Sequence, residues 1–261
     1  MKITEVKCKT ALSKSNLPGL DYSLNPYRGC QHNCAYCYVP NVLRIKREEW
    51  GGFVDAKTNI PVILAKELKT KKHGVVGIST VTDPYQPLEK KYKLTRYCLE
   101  QLLRSDFPVC IQTKSNLVTR DIDIISKFSD IEVMFSIGTL NDTDRKLLEP
   151  NSSSIQDRLN AMKEISYVGI KATVFFGPVY PTIKVEDISR IIDSFVEHGA
   201  KEIMVDKFNL KPGIFDNLNS ILKNYPELSF KNLKDTEYYN KIRNQIMIFK
   251  ENREVRIHDA F

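Results

Sequence analysis

The sequence lacks a long apolar run, and this absence limits the kinds of protein it can encode. No stretch approaches the roughly 20 apolar residues that a membrane-spanning helix needs. The first ten residues carry several charges and are not followed by an apolar segment, so no secretion signal is expected. We therefore expect a soluble cytoplasmic protein with no membrane partner.

Low-complexity tracts and fixed-period repeats are also absent, which argues against a disordered tail, a linker or a repeat array. The 261 residues are 42% apolar and 27% charged, as in a globular protein large enough to bury a core. A net charge of +7 is compatible with a polyanionic partner. Basic residues are mixed with acidic ones, however, as in Glu89-Lys90-Lys91, and such mixing is typical of a solvated surface.

Short apolar runs alternate with longer amphipathic segments, which is the pattern of a parallel sheet with crossover helices. Apolar residues at helical spacing predict helices over 155–165 and 188–195, and a terminal helix over 235–250. The predicted strands are 22–25, 75–79, 109–113, 132–137, 171–176 and 202–206.

Polar residues follow several of these strands. Asp83 comes after the second strand, Lys114 follows the third, and Ser136 lies at the end of the fourth. The carboxyl ends of parallel strands share one face of a barrel, and that face is where loops carry chemistry. We therefore expect these side chains to lie on one face of the protein.

Three of the six cysteines are crowded into eight residues, with the spacing C-x3-C-x2-C at Cys30, Cys34 and Cys37. In a chain of this size with no secretion signal, metal binding explains them better than disulfides do. Structural zinc normally takes four ligands, whereas three thiolates on a four-iron cluster leave one iron open. The spacing favours an iron–sulfur cluster. A zinc site that recruits His32 or a distant cysteine is the alternative.

The motif, with Tyr36 directly before Cys37, resembles that of the radical S-adenosylmethionine (SAM) superfamily. Three further segments are similar to the spore photoproduct lyase-like, or DNA repair photolyase-like, branch: Asn-Pro-Tyr-Arg-Gly-Cys at 25–30, Thr-Val-Thr-Asp-Pro-Tyr-Gln-Pro-Leu-Glu at 80–89 and Thr-Lys-Ser at 113–115. The similarity continues through Leu-Glu-Pro at 148–150, Arg158 and Gly-Pro-Val-Tyr-Pro at 177–181.

The resemblance implies an α/β fold, a partial TIM barrel of six β/α units with a helical C-terminal extension. The whole chain, 1–261, would then be a single domain. Its core would cover about 18–207 and its extension about 208–261.

In the superfamily, the open iron of one 4Fe-4S cluster binds SAM. An electron from the cluster then cleaves SAM to methionine and a 5'-deoxyadenosyl radical, which abstracts hydrogen from a substrate. The resemblance therefore implies two cofactors, the cluster and SAM, and an electron donor such as flavodoxin or ferredoxin. The substrate is unidentified, with nucleic acid as the first candidate, and a non-catalytic zinc-containing nucleic-acid-binding protein remains the alternative.

The resemblance also assigns contacts to SAM. Thr82 and Asp83 would receive its amino group, Lys114 its carboxylate and Ser136 its ribose, while Tyr36 would lie against its adenine. These assignments agree with ordinary chemistry, because an ammonium binds carboxylate and hydroxyl acceptors and a carboxylate binds a cation.

Spore photoproduct lyases return a hydrogen atom to their product from a cysteine at the end of the second strand, where this sequence has Thr80. A hydroxyl is a much poorer hydrogen-atom donor than a thiol. Cys98 and Cys110 lie in apolar segments and are expected to be buried hydrophobes. Thymine-dimer repair by that route is therefore not expected, and with no second tight group of cysteines we expect one cluster only.

Overall fold

The structure is a computed structural model, and it describes residues 1–223, 231–250 and 255–259. The strands are β1 (Lys2–Val6), β2 (Leu12–Lys14), β3 (Tyr22–Leu24), β4 (Tyr27–Arg28), β5 (Phe53–Lys57), β6 (Val76–Ile78), β7 (Val109–Thr113), β8 (Ile131–Ser136), β9 (Lys171–Phe176), β10 (Glu202–Val205) and β11 (Arg256–Asp259). The helices are α1 (Val39–Leu43), α2 (Ile60–Glu67), α3 (Glu89–Tyr92), α4 (Leu94–Arg104), α5 (Ile122–Ile125), α6 (Asp142–Leu148), α7 (Ile155–Tyr167), α8 (Ile188–Glu197), α9 (Ile214–Leu222) and α10 (Thr236–Lys250).

The main sheet has the strand order β11-β10-β9-β8-β7-β6-β3-β2. Each neighbouring pair is parallel except β2 and β3, which are antiparallel. The six predicted strands are therefore all present and lie side by side in chain order, and an α/β fold with a mostly parallel sheet is confirmed. The partial barrel stays a prediction.

Helices cover the sheet through apolar faces. Ile188, Ile191, Ile192 and Phe195 form the buried face of α8, as their spacing predicts. All of β6 is buried, as is usual for a parallel strand that is covered on both sides. None of the helices within the described ranges has the length and apolar character needed to cross a membrane.

The C-terminal extension is not purely helical, and in this respect the prediction was wrong. Its predicted terminal helix is present as α10, but β11 adds a further parallel strand beside β10. Its sequence, Arg-Ile-His-Asp, has a single apolar residue and therefore gives no apolar pattern that would reveal a strand.

A second sheet, β1-β5-β4, was missed altogether. In β5, Val54 and Ala56 are fully buried and alternate with partly exposed residues, which is the pattern of a strand with one covered face. Strand β4 pairs with β5 and leads directly into the cysteine motif. This small sheet therefore positions the motif.

Candidate cofactor site

The cysteine loop begins with a glycine that packs against β5. Gly29 has φ of +89°, and a Cβ there would lie 2.4 Å from the Phe53 carbonyl oxygen. The Gly29 carbonyl accepts a hydrogen bond from the Thr82 hydroxyl at 2.6 Å, and the backbone N–H of Gln31 donates to the Gln86 side chain at 2.9 Å. The loop is therefore fixed to the segment that follows β6.

The three thiols of this loop lie close enough to affect one another's ionisation. Burial raises the pKa of Cys30 to about 12, and it also raises the pKa values of Cys34 and Cys37. Negative charge on Cys37 raises the pKa values of both other thiols further. Without a metal the thiols are therefore protonated at neutral pH, and metal binding has to displace their protons.

Backbone N–H groups point at the cysteine sulfurs. The N–H groups of His32 and Asp83 donate to the sulfur of Cys30, and the N–H group of Val39 donates to the sulfur of Cys37. These hydrogen bonds oppose the rise in the pKa values of the two thiols. Hydrogen bonds to sulfur stabilise thiolates and tune iron–sulfur clusters. The donor set fits a cluster held by three cysteines.

The zinc alternative gains no support. Within the described ranges, no group of three or more His, Cys, Asp or Glu side chains could hold a metal ion. His32, the suggested additional zinc ligand, instead faces Asp83, with 3.3 Å between Nδ1 and Oδ2.

Asp83 is buried beside the cysteine loop, and its carboxylate accepts several hydrogen bonds. One of its oxygens accepts from the Tyr85 N–H at 2.9 Å and the Thr113 hydroxyl at 2.8 Å, and the other accepts from the Lys114 N–H at 2.8 Å. Burial would raise the pKa of Asp83, but His32 and these hydrogen bonds outweigh it and lower the pKa to about 2. The carboxylate is thus ionised and joins the cysteine loop to the end of β7.

The Lys114 ammonium lies 5.9 Å from the centroid of the Tyr36 ring. Burial lowers the pKa of Lys114, but Cys34 and Glu149 outweigh it and leave the pKa above its usual value. Lys114 is therefore a cation beside the cysteine loop. Ser136, which is 1% exposed, accepts a hydrogen bond at its hydroxyl from the Gln112 amide at 3.3 Å.

A buried ion pair supports Tyr36, and sequence reasoning gave its members no role. The Tyr36 hydroxyl and the Arg158 guanidinium both donate to the Glu149 carboxylate. A second Arg158 nitrogen donates to the Ser136 carbonyl at 2.7 Å. Burial would raise the pKa of Glu149, but Arg158 and Lys114 lower it to about 2. The pair connects Tyr36 to the end of β8.

The C-terminal extension reaches the same loop. The Tyr36 ring makes edge contacts with Tyr180 and Phe208, at centroid distances of 6.1 and 5.4 Å. From α9, the Asn217 amide donates to the Ala35 carbonyl at 2.7 Å. Residues of the extension therefore belong to the wall of the site.

Thr80 lies at the rim of the site, where its carbonyl accepts from the Tyr38 hydroxyl at 3.1 Å. Cys98 is fully buried in α4, and the Cys110 thiol donates to Glu132 at 3.1 Å. In the described part of the chain, neither Cys98 nor Cys110 is hydrogen-bonded to Tyr36, Glu149 or Arg158.

The family model for the radical SAM superfamily matches residues 24–195, which is more than half of the chain and includes the cysteine loop and every proposed SAM contact. The chain belongs to the radical SAM superfamily. Membership implies an iron–sulfur cluster, SAM and a source of electrons. An uncharacterized protein of Methanocaldococcus jannaschii is 36% identical over 185 residues, which cover 70% of each chain.

Two further matches are to proteins whose names state an activity, one by sequence and one by structure. A radical SAM Nalpha-GlyT isomerase of Pseudomonas phage M6 is 26% identical over 183 residues, which cover 69% of this chain and 38% of the isomerase. Spore photoproduct lyase, complexed with dinucleoside spore photoproduct, matches with a TM-score of 0.73 and 16% identity, over 99% of this chain and 82% of the lyase. The fold therefore resembles that of spore photoproduct lyase, as the sequence motifs predicted.

Proposed function

We propose that this protein cleaves SAM reductively at a 4Fe-4S cluster bound by Cys30, Cys34 and Cys37. The observation that carries the proposal is the loop of three mutually interacting thiols, with backbone N–H groups directed at the sulfurs and a cation, Lys114, beside it. When bound, the cluster and SAM supply a 5'-deoxyadenosyl radical that abstracts a hydrogen atom from the substrate.

The environments of Lys114 and Tyr36 support this proposal. Lys114 is charged and only partly exposed, so it can bind the SAM carboxylate through a charge-assisted hydrogen bond. The Tyr36 ring is fixed through its hydroxyl by Glu149, so one face can pack against adenine without losing that bond.

Thr82, Asp83 and Ser136 complete the proposed SAM site. The Thr82 hydroxyl donates to Gly29 and still has acceptor capacity for the SAM amino group. Asp83 is ionised, so it supplies the negative charge that attracts an ammonium. Ser136 has a hydroxyl suited to the ribose, at the end of the strand that Arg158 holds. We place all three at the carboxyl end of a partial barrel.

Aromatic residues around Tyr36 would exclude water from the radical. Tyr180 is fully buried and Phe208 is nearly so, and both pack against the Tyr36 ring. A dry site prevents side reactions of a reactive intermediate.

Nucleic acid is the first candidate substrate. The structurally similar spore photoproduct lyase is complexed with a dinucleoside, and this chain carries a net charge of +7. The active protein would need an electron donor, such as a reduced flavodoxin or ferredoxin. We also propose that the protein acts in the cytoplasm.

Cluster binding is tested by anaerobic reconstitution of the full chain, with iron and zinc both measured. Wild-type protein should bind about four irons per chain and show a change in its electron paramagnetic resonance spectrum when SAM is added. Cys34→Ala should lose the cluster. Cys8→Ala, which removes a partly exposed thiol in the N-terminal segment, should keep it. Stoichiometric zinc in the wild type, or four irons in Cys34→Ala, would overturn the proposal.

A further inference from the structure

A cavity of about 430 Å³ lies between α10 and the segment that follows β10. Its apolar and aromatic wall includes Phe208, Leu233 and Tyr239, which are all buried. Small-molecule sites usually have this size and a wall of this kind. The cavity is therefore large enough to hold a nucleotide-sized group or part of a larger substrate.

Three cations line the same cavity, namely Lys207, Lys234 and Arg243. The described lining residues include no Asp or Glu. Thr236 and Asn240 also line the cavity and can donate hydrogen bonds. A cleft with charges of one sign concentrates ligands of the opposite sign, and this set of donors matches a phosphate group.

One residue joins this cavity to the proposed radical site. Phe208 lines the cavity, and its ring lies 5.4 Å from the ring of Tyr36 in an edge contact. The Phe208 ring also makes an edge contact with the Tyr180 ring, at a centroid distance of 5.9 Å, so Phe208 packs against two aromatic rings. Phe208 therefore contacts both the cavity and the Tyr36 ring.

We propose that this cavity binds a phosphate group of the substrate. If the proposed function holds, the reacting part of the substrate lies on the Tyr36 side of Phe208. The C-terminal extension would then be a substrate-recognition element, because it supplies Lys234, just before α10, and Arg243, within α10. The phosphate could belong to a free nucleotide or to a nucleic acid chain.

The test measures binding of defined probes to the reconstituted full chain by isothermal titration calorimetry. The probes are thymidine monophosphate, unphosphorylated thymidine and a short oligothymidylate. The variant Lys234→Gln/Arg243→Gln removes two cavity charges from exposed positions. Lys241→Gln is the matched control, because it removes an exposed charge from α10 that does not line the cavity.

Wild-type protein should bind thymidine monophosphate more tightly than thymidine, and the double variant should lose this affinity by about tenfold or more. Lys241→Gln should behave as the wild type does. Much tighter binding of oligothymidylate identifies nucleic acid as the source of the phosphate, and equal binding identifies a nucleotide. Equal affinity of the wild type and the double variant for both phosphorylated probes, or binding of neither probe by the wild type, would overturn the proposal.

SAM cleavage is also measured without added substrate, so that a failure of phosphate binding can be told apart from a failure of the proposed SAM chemistry. The double variant should form 5'-deoxyadenosine at the wild-type rate, because the changed residues are outside the proposed cofactor site. If the wild type forms none, the proposed function fails, whereas phosphate binding at the cavity can still be measured. Circular dichroism melting of each variant verifies that it is folded.

Discussion

The Tyr36 hydroxyl donates a hydrogen bond to the Glu149 carboxylate, although the two residues are 113 positions apart. Arg158 pairs with the same carboxylate and also binds the Ser136 carbonyl. One buried ion pair therefore holds together the aromatic residue of the cysteine loop and the end of β8. This arrangement makes Glu149 and Arg158 positioning residues for the proposed SAM site.

Arg158→Met should destabilise the protein strongly, by about 3 to 5 kcal/mol, because it leaves the Glu149 charge buried without its partner. The double variant Arg158→Met/Glu149→Leu should recover much of this loss, since both charges are then gone. Urea unfolding of the metal-free protein measures both. If the double variant is no more stable than Arg158→Met, the ion pair does not have the role assigned to it.

The stability of the metal-free protein should depend on pH through Glu149. The folded-state pKa of this residue is about 2, below its ordinary value of 4.5. Its contribution is therefore fully present above about pH 4.5 and is lost as pH falls towards 2, a difference on the order of 3 kcal/mol. The stability gap between wild type and Glu149→Gln should narrow as urea unfolding is repeated from pH 6 to about pH 3. A gap independent of pH would contradict this assignment.

Sequence patterns predicted the main sheet well, because strands such as β7 and β9 are short segments in which most residues are apolar. They did not predict β11 or the second sheet, because β11 has one apolar residue and both β1 and β5 include charged residues, so none of these strands gives a strong apolar signal. The loop position of the cysteines followed from their spacing. The Glu149–Arg158 pair was not predicted. Arg158 falls among the buried positions of α7, and a charged residue at such a position was a signal that it has a buried partner.

Gly29→Ala should disrupt the cysteine loop. A Cβ at this position meets the Phe53 carbonyl at 2.4 Å and also strains a positive φ. Gly169→Ala is a matched control, because Gly169 has φ of +82° but nothing within 4 Å of the added Cβ. Both variants should lose about 1 kcal/mol of stability from the backbone strain, and Gly29→Ala should also lose bound iron after reconstitution. Equal iron content in the two variants would argue against the close packing of this loop on β5.

Asn217→Ala should loosen the contact between α9 and the cysteine loop. It removes the hydrogen bond to the Ala35 carbonyl, at a cost of about 1 kcal/mol. The reconstituted variant should therefore lose iron to a chelator faster than the wild type. Asn219→Ala changes an exposed residue on the same helix and should lose iron at the wild-type rate. Identical rates for all three proteins would show that this contact does not protect the cluster.

Lys114→Met should weaken SAM binding by about 10- to 100-fold, as expected for losing a charge-assisted hydrogen bond to a carboxylate. Iron content should stay near the wild-type value, because Lys114 is not a cluster ligand. Lys127→Met, at an exposed position, should change neither quantity. Equilibrium dialysis with labelled SAM measures the affinities, and unchanged affinity in Lys114→Met would rule out the assigned contact.

Reductive cleavage of SAM is measured as the 5'-deoxyadenosine that the reconstituted protein forms with dithionite in the absence of oxygen. We expect the wild type to form 5'-deoxyadenosine and methionine together, and we expect Cys30→Ala, Cys34→Ala and Cys37→Ala to form neither. Intact SAM after incubation with iron-loaded wild-type protein, or cleavage that persists in any of the three variants, would contradict the proposed function.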